Sequence, residues 1–163
     1  MRQRNHGLTL IDLLVVIAVL AVIVSMTSPV GNWIAKQQLR SAHSELLLTI
    51  NYARFLALST GRPVTLCALH GSNKCQNPWQ GELTVFTDPN RALALGGAAE
   101  IHKVVQIPDS VDVQWRGMNP NHSIRFAPTG LTFVSNGTFT IRHKAVAEPK
   151  KIIVNRQGRA RSE

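Results

Sequence analysis

The chain has 163 residues, 44% of them apolar but only 6% aromatic, enough to bury one modest core and too little for a large multidomain enzyme. Eighteen Lys and Arg against nine Asp and Glu give a formal charge of +9, which excludes acidic-tail and disordered classes and favours polyanionic partners such as nucleic acid or anionic lipid. A mean hydropathy of zero is high for so basic a chain and implies that apolar residues are concentrated in one stretch.

That stretch is at the N-terminus. Residues 8–30, LTLIDLLVVIAVLAVIVSMTSPV, carry a single charge, and Leu13–Val24 is an unbroken apolar run. As one helix rising about 1.5 Å per residue the segment nearly spans a hydrocarbon core of about 30 Å. Arg2 and Arg4, with no acid near them, hold the preceding end in the cytoplasm. A removable secretory signal with a cut near Ser25-Met26-Thr27-Ser28 and a permanent anchor both fit this pattern. Asp12 argues against the ordinary signal, because a carboxylate in an apolar segment costs about 2.5–3.5 kcal/mol at a helix centre and is kept where it has a partner or stays hydrated.

Gly7-Leu8-Thr9-Leu10-Ile11-Asp12-Leu13-Leu14 resembles the class III (prepilin) signal of type IV pilins and type II secretion pseudopilins. The resemblance implies that prepilin peptidase cuts the leader, residues 1–7, after Gly7, that Leu8 becomes an N-methylated first residue, and that the apolar helix is retained. It also implies that Asp12, the fifth mature residue, neutralises the amino terminus of a neighbouring subunit in an apolar filament core, where unpaired charge is expensive. Leu8 stands where Phe is usual, and Asp12 is one methylene shorter than the usual Glu.

Pro29 and Gly31 are expected to interrupt the helix. Beyond them, over 31–60, Ala35, Leu39, Ala42, Leu46, Ile50, Ala53 and Ala57 recur at steps of three and four, one face of an amphipathic helix that Gly61 and Pro63 end. Leu47, Leu48, Phe55, Leu56 and Leu58 widen the apolar face, so the second half is expected to be embedded and the first half more exposed. From Arg62 the period becomes two, predicting strands at 63–69, 82–87, 100–107, 111–115, 123–127, 131–135, 138–142 and 151–155. Asn136-Gly137 reads as a two-residue hairpin, and Asp88-Pro89-Asn90 and Pro128-Thr129-Gly130 as turns. The predicted fold class is α+β and type IV pilin-like: a long N-terminal helix whose second half packs on antiparallel sheet, with residues 61–163 forming a β-rich head.

Ala53-Arg54, Gly61-Arg62-x-Val64-Thr65-Leu66-Cys67, Trp79-x-Gly81, Val85-Phe86-x-Asp88, Phe126-x-x-x-Gly130 and Gly158-Arg159-Ala160-Arg161 together look like the GspH/FimT family of minor pilins and pseudopilins. In a head facing an oxidising periplasm, Cys67 and Cys75 are predicted to form a disulfide; a metal site of Cys67, His70 and Cys75 is the alternative, with only three ligands. No nucleophile elbow, phosphate loop or dinucleotide fingerprint occurs, and Asp109 and Asp112 are expected around a solvated turn beside Pro108, so neither enzyme activity nor a cofactor is expected. A membrane-anchored periplasmic enzyme is the remote alternative.

Without Arg2 and Arg4, sixteen basic and nine acidic residues leave a net +7, and residues 142–161 hold seven of the cations against Glu148 alone. Such an end is a solvated tail, a surface that meets an acidic neighbouring subunit, or a phosphate-binding site. Gly158 permits a tight turn, after which Arg159 and Arg161 project to one side of an extended chain. The resemblance to DNA-uptake minor pilins implies DNA binding at Gly158, Arg159 and Arg161, to which Arg156, Lys150 and Lys151 add charge. With no aromatic residue in the tail, contact with double-stranded DNA is expected at the backbone and without sequence preference. The expected function is DNA capture for natural transformation by a minor pilin, single-pass in the inner membrane with its head in the periplasm and then part of a pilus with other pilins. The alternative is a structural minor pilin that initiates assembly, or a GspH-like pseudopilin, without DNA binding. Intact-mass spectrometry of membrane-extracted protein is expected to show a methylated chain beginning at Leu8; a start beyond Ser25 contradicts the prepilin reading.

Overall fold

A computed structural model describes residues 9–26, 30–97, 99–118, 120–132 and 134–163. The expected cleavage site at Gly7 and Leu8 and the expected interruption at Pro29 lie outside the described residues, whereas Gly31, expected to interrupt the helix with it, is helical, one residue into the helix that starts at Val30. The chain divides into two units, residues 1–34 and 35–163.

The first unit contains helix α1, Leu10–Met26, which is apolar around its whole circumference, with Leu10 through Val24 exposed. Its 17 residues rise about 26 Å, and among the described residues no helix is long and apolar enough to cross a membrane. Thr9 and Asp12 close the helix start: Asp12 Oδ2 accepts from the Thr9 backbone N–H at 3.0 Å and from the Thr9 hydroxyl at 2.8 Å. This is the reciprocal geometry of a capping box, with Asp in the position usually held by Glu or Gln.

Helix α2, Val30–Thr60, supplies the second unit with its central element. The stripe predicted from Ala35 to Ala57 is buried along its whole length, and Leu46, Ile50, Ala53 and Ala57 have no exposed surface. The expected division into an exposed first half and an embedded second half is corrected: Ala35, Leu39 and Ala42 are buried, whereas Leu48, Phe55 and Leu58 are exposed. The cause is angular, since these three fall outside the arc of about 100° that a sheet surface can cover on one helix. The helix ends where Gly61 takes a positive φ of 63° and donates its N–H to Ala57 O.

Two antiparallel sheets follow. The first, in the order β3-β2-β1-β5, comprises β1 (Val64–Ala68), β2 (Gly81–Thr87), β3 (Ile101–Ile107) and β5 (Ser123–Phe126). The second, β4-β6-β7-β8, comprises β4 (Val111–Gly117), β6 (Gly137–His143), β7 (Val146–Val154) and β8 (Ala160–Ser162). Both contribute to one core with the α2 stripe, through Leu66, Leu83, Val85, Ile124 and Phe126 from the first and Val113, Phe139, Ile141 and Ile152 from the second. A smaller cluster of Cys67, Leu69, Cys75 and Phe86 receives Leu93 and Leu95.

Cys67 and Cys75 are joined, with Cα atoms 5.5 Å apart, closing a short loop and contributing about 2–3 kcal/mol in the chain-entropy picture. Asp88, buried at the start of the expected 88–90 turn, accepts from the backbone N–H groups of Ala92 and Leu93 and from the Thr65 hydroxyl.

Three strand expectations are corrected. Leu131, Thr132, Val134 and Ser135 are not in a strand; Thr132 instead donates its N–H to Arg156 O at 3.1 Å, tying this segment to the loop after β7. Asn136-Gly137 is therefore not a hairpin: Gly137 opens β6 and pairs with Gly117, and the β6–β7 turn falls at residues 144–145. Finally, β7 starts at Val146, and β8 is an additional strand too short to show a period of its own. By chemical denaturation, Ile50→Ala is expected to cost about 2–5 kcal/mol, while exposed Leu48→Gln stays within about 0.5 kcal/mol. Similar losses for the two would contradict the corrected helix orientation.

Candidate nucleic-acid interface

The basic tail is a built hairpin. After Val154 the chain reverses through residues 155–159 and returns as β8, pairing Val154 with Ala160, Ile153 with Arg161 and Ile152 with Ser162. Asn155 organises the turn: its N–H donates to Arg159 O at 3.1 Å, its O accepts from Gly158 at 2.9 Å, and its Oδ1 accepts from the Arg159 N–H at 2.9 Å.

Gly158 is buried, with a φ of 76°, and a Cβ there would overlap Gly130 O and press on Arg54 Cδ and Nε at 3.2 Å. Gly130 O in turn accepts from Arg54 Nε at 3.2 Å, and the Thr132 hydroxyl donates to Asn155 O and Arg156 O at 3.1 and 3.2 Å. The turn is thus clamped to the 127–132 loop and to α2. Arg54, Gly130 and Gly158 belong to three short motifs scattered over more than a hundred residues of sequence, with nothing in their spacing to show that they meet.

The register sorts the predicted DNA-binding residues by face. Lys151 pairs with Thr140 on the side away from buried Phe139, Ile141 and Ile152, and Arg161, opposite Ile153, shares that outer side. Arg159 and Arg161 line one hollow of about 470 Å³ with Ile153 and Asn155. Arg156 is exposed on the turn itself. Lys150, one residue from Lys151, is on the opposite side, in a hollow it shares with Lys36 and Arg40 of α2 and with Glu148 and Glu163. Among the described residues the ion pairs are Lys103–Glu45 at 3.0 Å and His102–Glu100 at 4.0 Å, so Lys150, Lys151, Arg156, Arg159 and Arg161 are not held in ion pairs, although Glu148 and Glu163 lie near Lys150.

Beneath β8, buried His43 of α2 meets the Ser162 hydroxyl at 3.1 Å through Nε2. Burial, with Lys150 adding to it, lowers the His43 pKa against an opposing hydrogen bond to the Lys151 backbone. Elsewhere, the disulfide removes both thiols of the metal alternative, His70 Nε2 contacts Pro78 O, and Asp112 accepts the side-chain amides of Gln80 and Gln114.

The family model described as Type II transport protein GspH matches residues 42–158, and the chain belongs to this family of pilins and pseudopilins. No curated protein matches it in sequence. Two crystal forms of the type IV minor pilin FimU from Pseudomonas aeruginosa strain PAO1 are similar in fold, each at 18% identity. The first has a TM-score of 0.57 over 78% of this chain and 90% of FimU, and the second 0.53 over 77% and 92%. The structure has the type IV pilin fold, with the helix packed on antiparallel sheet.

Gly158→Ala is expected to destabilise the head by about 1–3 kcal/mol, from the strained φ and the collision with Gly130 O. Amide hydrogen exchange should accelerate first at Thr132, Gly158 and Arg159. Wild-type stability and protection would show that the turn does not depend on the missing side chain.

Proposed function

We propose that the chain is a minor pilin that captures double-stranded DNA through its C-terminal hairpin for uptake in natural transformation. In this reading residues 8–30 hold the protein in the inner membrane with its head in the periplasm, prepilin peptidase cuts after Gly7, and Asp12 pairs with a neighbouring subunit's amino terminus on entry into the filament. The pilus then carries the head to the cell surface. The observation that carries the reading is that Arg159 and Arg161 line one hollow at a clamped turn, and neither is held in an ion pair among the described residues.

The chemistry follows from that arrangement. Guanidinium groups bind phosphate oxygens in a planar, bidentate geometry, and their fixed spacing lowers the ordering cost of contact. Lys151 on the same sheet face and Arg156 on the turn add charge around them. Contact with the sugar-phosphate backbone alone makes affinity salt-dependent and nearly independent of sequence.

The description of the matched family supports a second reading, a type II secretion pseudopilin whose basic hairpin faces a partner subunit. Full-length protein in neutral detergent separates the two. DNA capture predicts duplex binding at about 10⁻⁴–10⁻⁶ M near physiological salt, with log K falling against log salt at a slope of at least about −3 for three or more phosphate contacts. Arg159→Gln with Arg161→Gln should flatten the slope by about two and weaken all sequences alike. The absence of duplex binding even at low salt would favour the pseudopilin reading.

A further inference from the structure

The outer face of the second sheet carries cations beyond those of the hairpin. Pairing places Arg116 opposite Thr138, Thr138 opposite Ile153 and Ile153 opposite Arg161, so one row on the outer face runs from arginine to arginine across all four strands. Three strand spacings of about 4.8 Å put its ends about 14 Å apart. Arg116, Arg142 and Lys151 also line a single groove of about 770 Å³ beside the hollow that holds Arg159 and Arg161.

Arg116 and Arg142 are exposed, and neither has a carboxylate within ion-pair distance among the described residues. Two acids line the groove. Asp112 already accepts Gln80 Nε2 on one oxygen and Gln114 Nε2 on the other, each at 2.9 Å, and Glu163, whose backbone N–H donates to Lys151 O at 3.0 Å, is at the opposite edge of the sheet from Arg116. Arg142 Nη1 donates to Gln114 Oε1 at 3.1 Å, which orients its guanidinium. Trp115 lines the groove but packs on Phe139 with ring centroids 4.5 Å apart, inside the aromatic cluster.

We propose that Arg116 and Arg142 form a second set of phosphate contacts, so that a DNA duplex lies across the strands of the second sheet from β4 to β8. The inference rests on the DNA-binding reading above and extends it from the hairpin to the whole sheet face. A separation of about 14 Å is close to the width of about 12 Å of the major groove, so the two ends of the row reach phosphates of both strands. Neither arginine is in the Gly-Arg-x-Arg motif, and Arg116 is outside the basic stretch 142–161 altogether; only the strand register brings it onto the same face as Arg161.

The test measures binding of full-length protein in neutral detergent to a 30-base-pair duplex as a function of salt. Five contacts predict a wild-type slope of about −4.5, and Arg116→Gln with Arg142→Gln should flatten it by about two while the Lys substitutions at both positions retain it. Thr138→Lys, adding a cation within the row, should steepen it by about one. Arg62→Gln with Lys74→Gln removes the same charge next to the first sheet and should leave the slope unchanged. Binding lost with the Arg159 and Arg161 substitutions but unchanged by those at 116, 142 and 138 would overturn this inference and leave the hairpin site standing. Equal flattening by the Arg62 and Lys74 pair would also overturn it, by showing a response to net charge alone. No duplex binding by the wild type would overturn the hairpin reading and this extension together.

Discussion

One stripe of α2 has to serve two sheets at once. Leu39, Leu46 and Ile50 supply apolar bulk, while Ala42, Ala53 and Ala57 leave room for strands to approach, and all are buried in the core to which both sheets contribute. Since each fully buried aliphatic side chain is worth about 1.5–3 kcal/mol, burial of the stripe contributes substantially to holding both sheets in one core. Arg54 follows Ala53 directly, one step off the stripe, so its guanidinium reaches the edge of the core and meets Gly130 O. The position of the basic hairpin therefore derives from the same packing: α2 holds Arg54, Arg54 holds the 127–132 loop, and that loop has room for Gly158 and for no larger residue.

This linkage converts a basic sequence into a surface with fixed geometry. Exposed charges contribute little to stability, and like charges close together repel, so a cluster without counter-ions needs support from the backbone beneath it. Here the support comes from Asn155, Thr132 and the β7–β8 ladder, all backbone or short polar contacts that leave the arginine heads in solvent. His43 completes the underside of β8 through Ser162, and its burial disfavours a further positive charge next to Lys150.

Much of this was legible in the sequence because it depends on periodicity and local chemistry. The 3.6-residue stripe from Ala35 to Ala57, the strands around Val64, Val85 and Val105, and the turns at Asp88 and Gly130 are all where the pattern places them. The disulfide followed from cysteine count and compartment. Leu48, Phe55 and Leu58 misled because composition does not say how wide an arc the sheets cover. Residues 131–135 alternate like a strand, yet Thr132 bonds to a loop instead of a ladder. The opposite placement of Lys150 and Lys151 follows from the pleat once β7 is known to begin at Val146, but the sequence suggested a strand starting only at Lys151. Gly158 was legible as a turn residue, whereas its contact with Gly130 is tertiary and has no local signature.

The central claim is that the clamped basic hairpin meets DNA and is not required to build the filament. The most direct test is to replace the chromosomal copy with the Arg159→Gln, Arg161→Gln double variant and to measure transformation and surface piliation in the same cells. Transformation should be lost with pili at wild-type levels. Pili lost along with transformation would contradict it and assign the hairpin to subunit assembly.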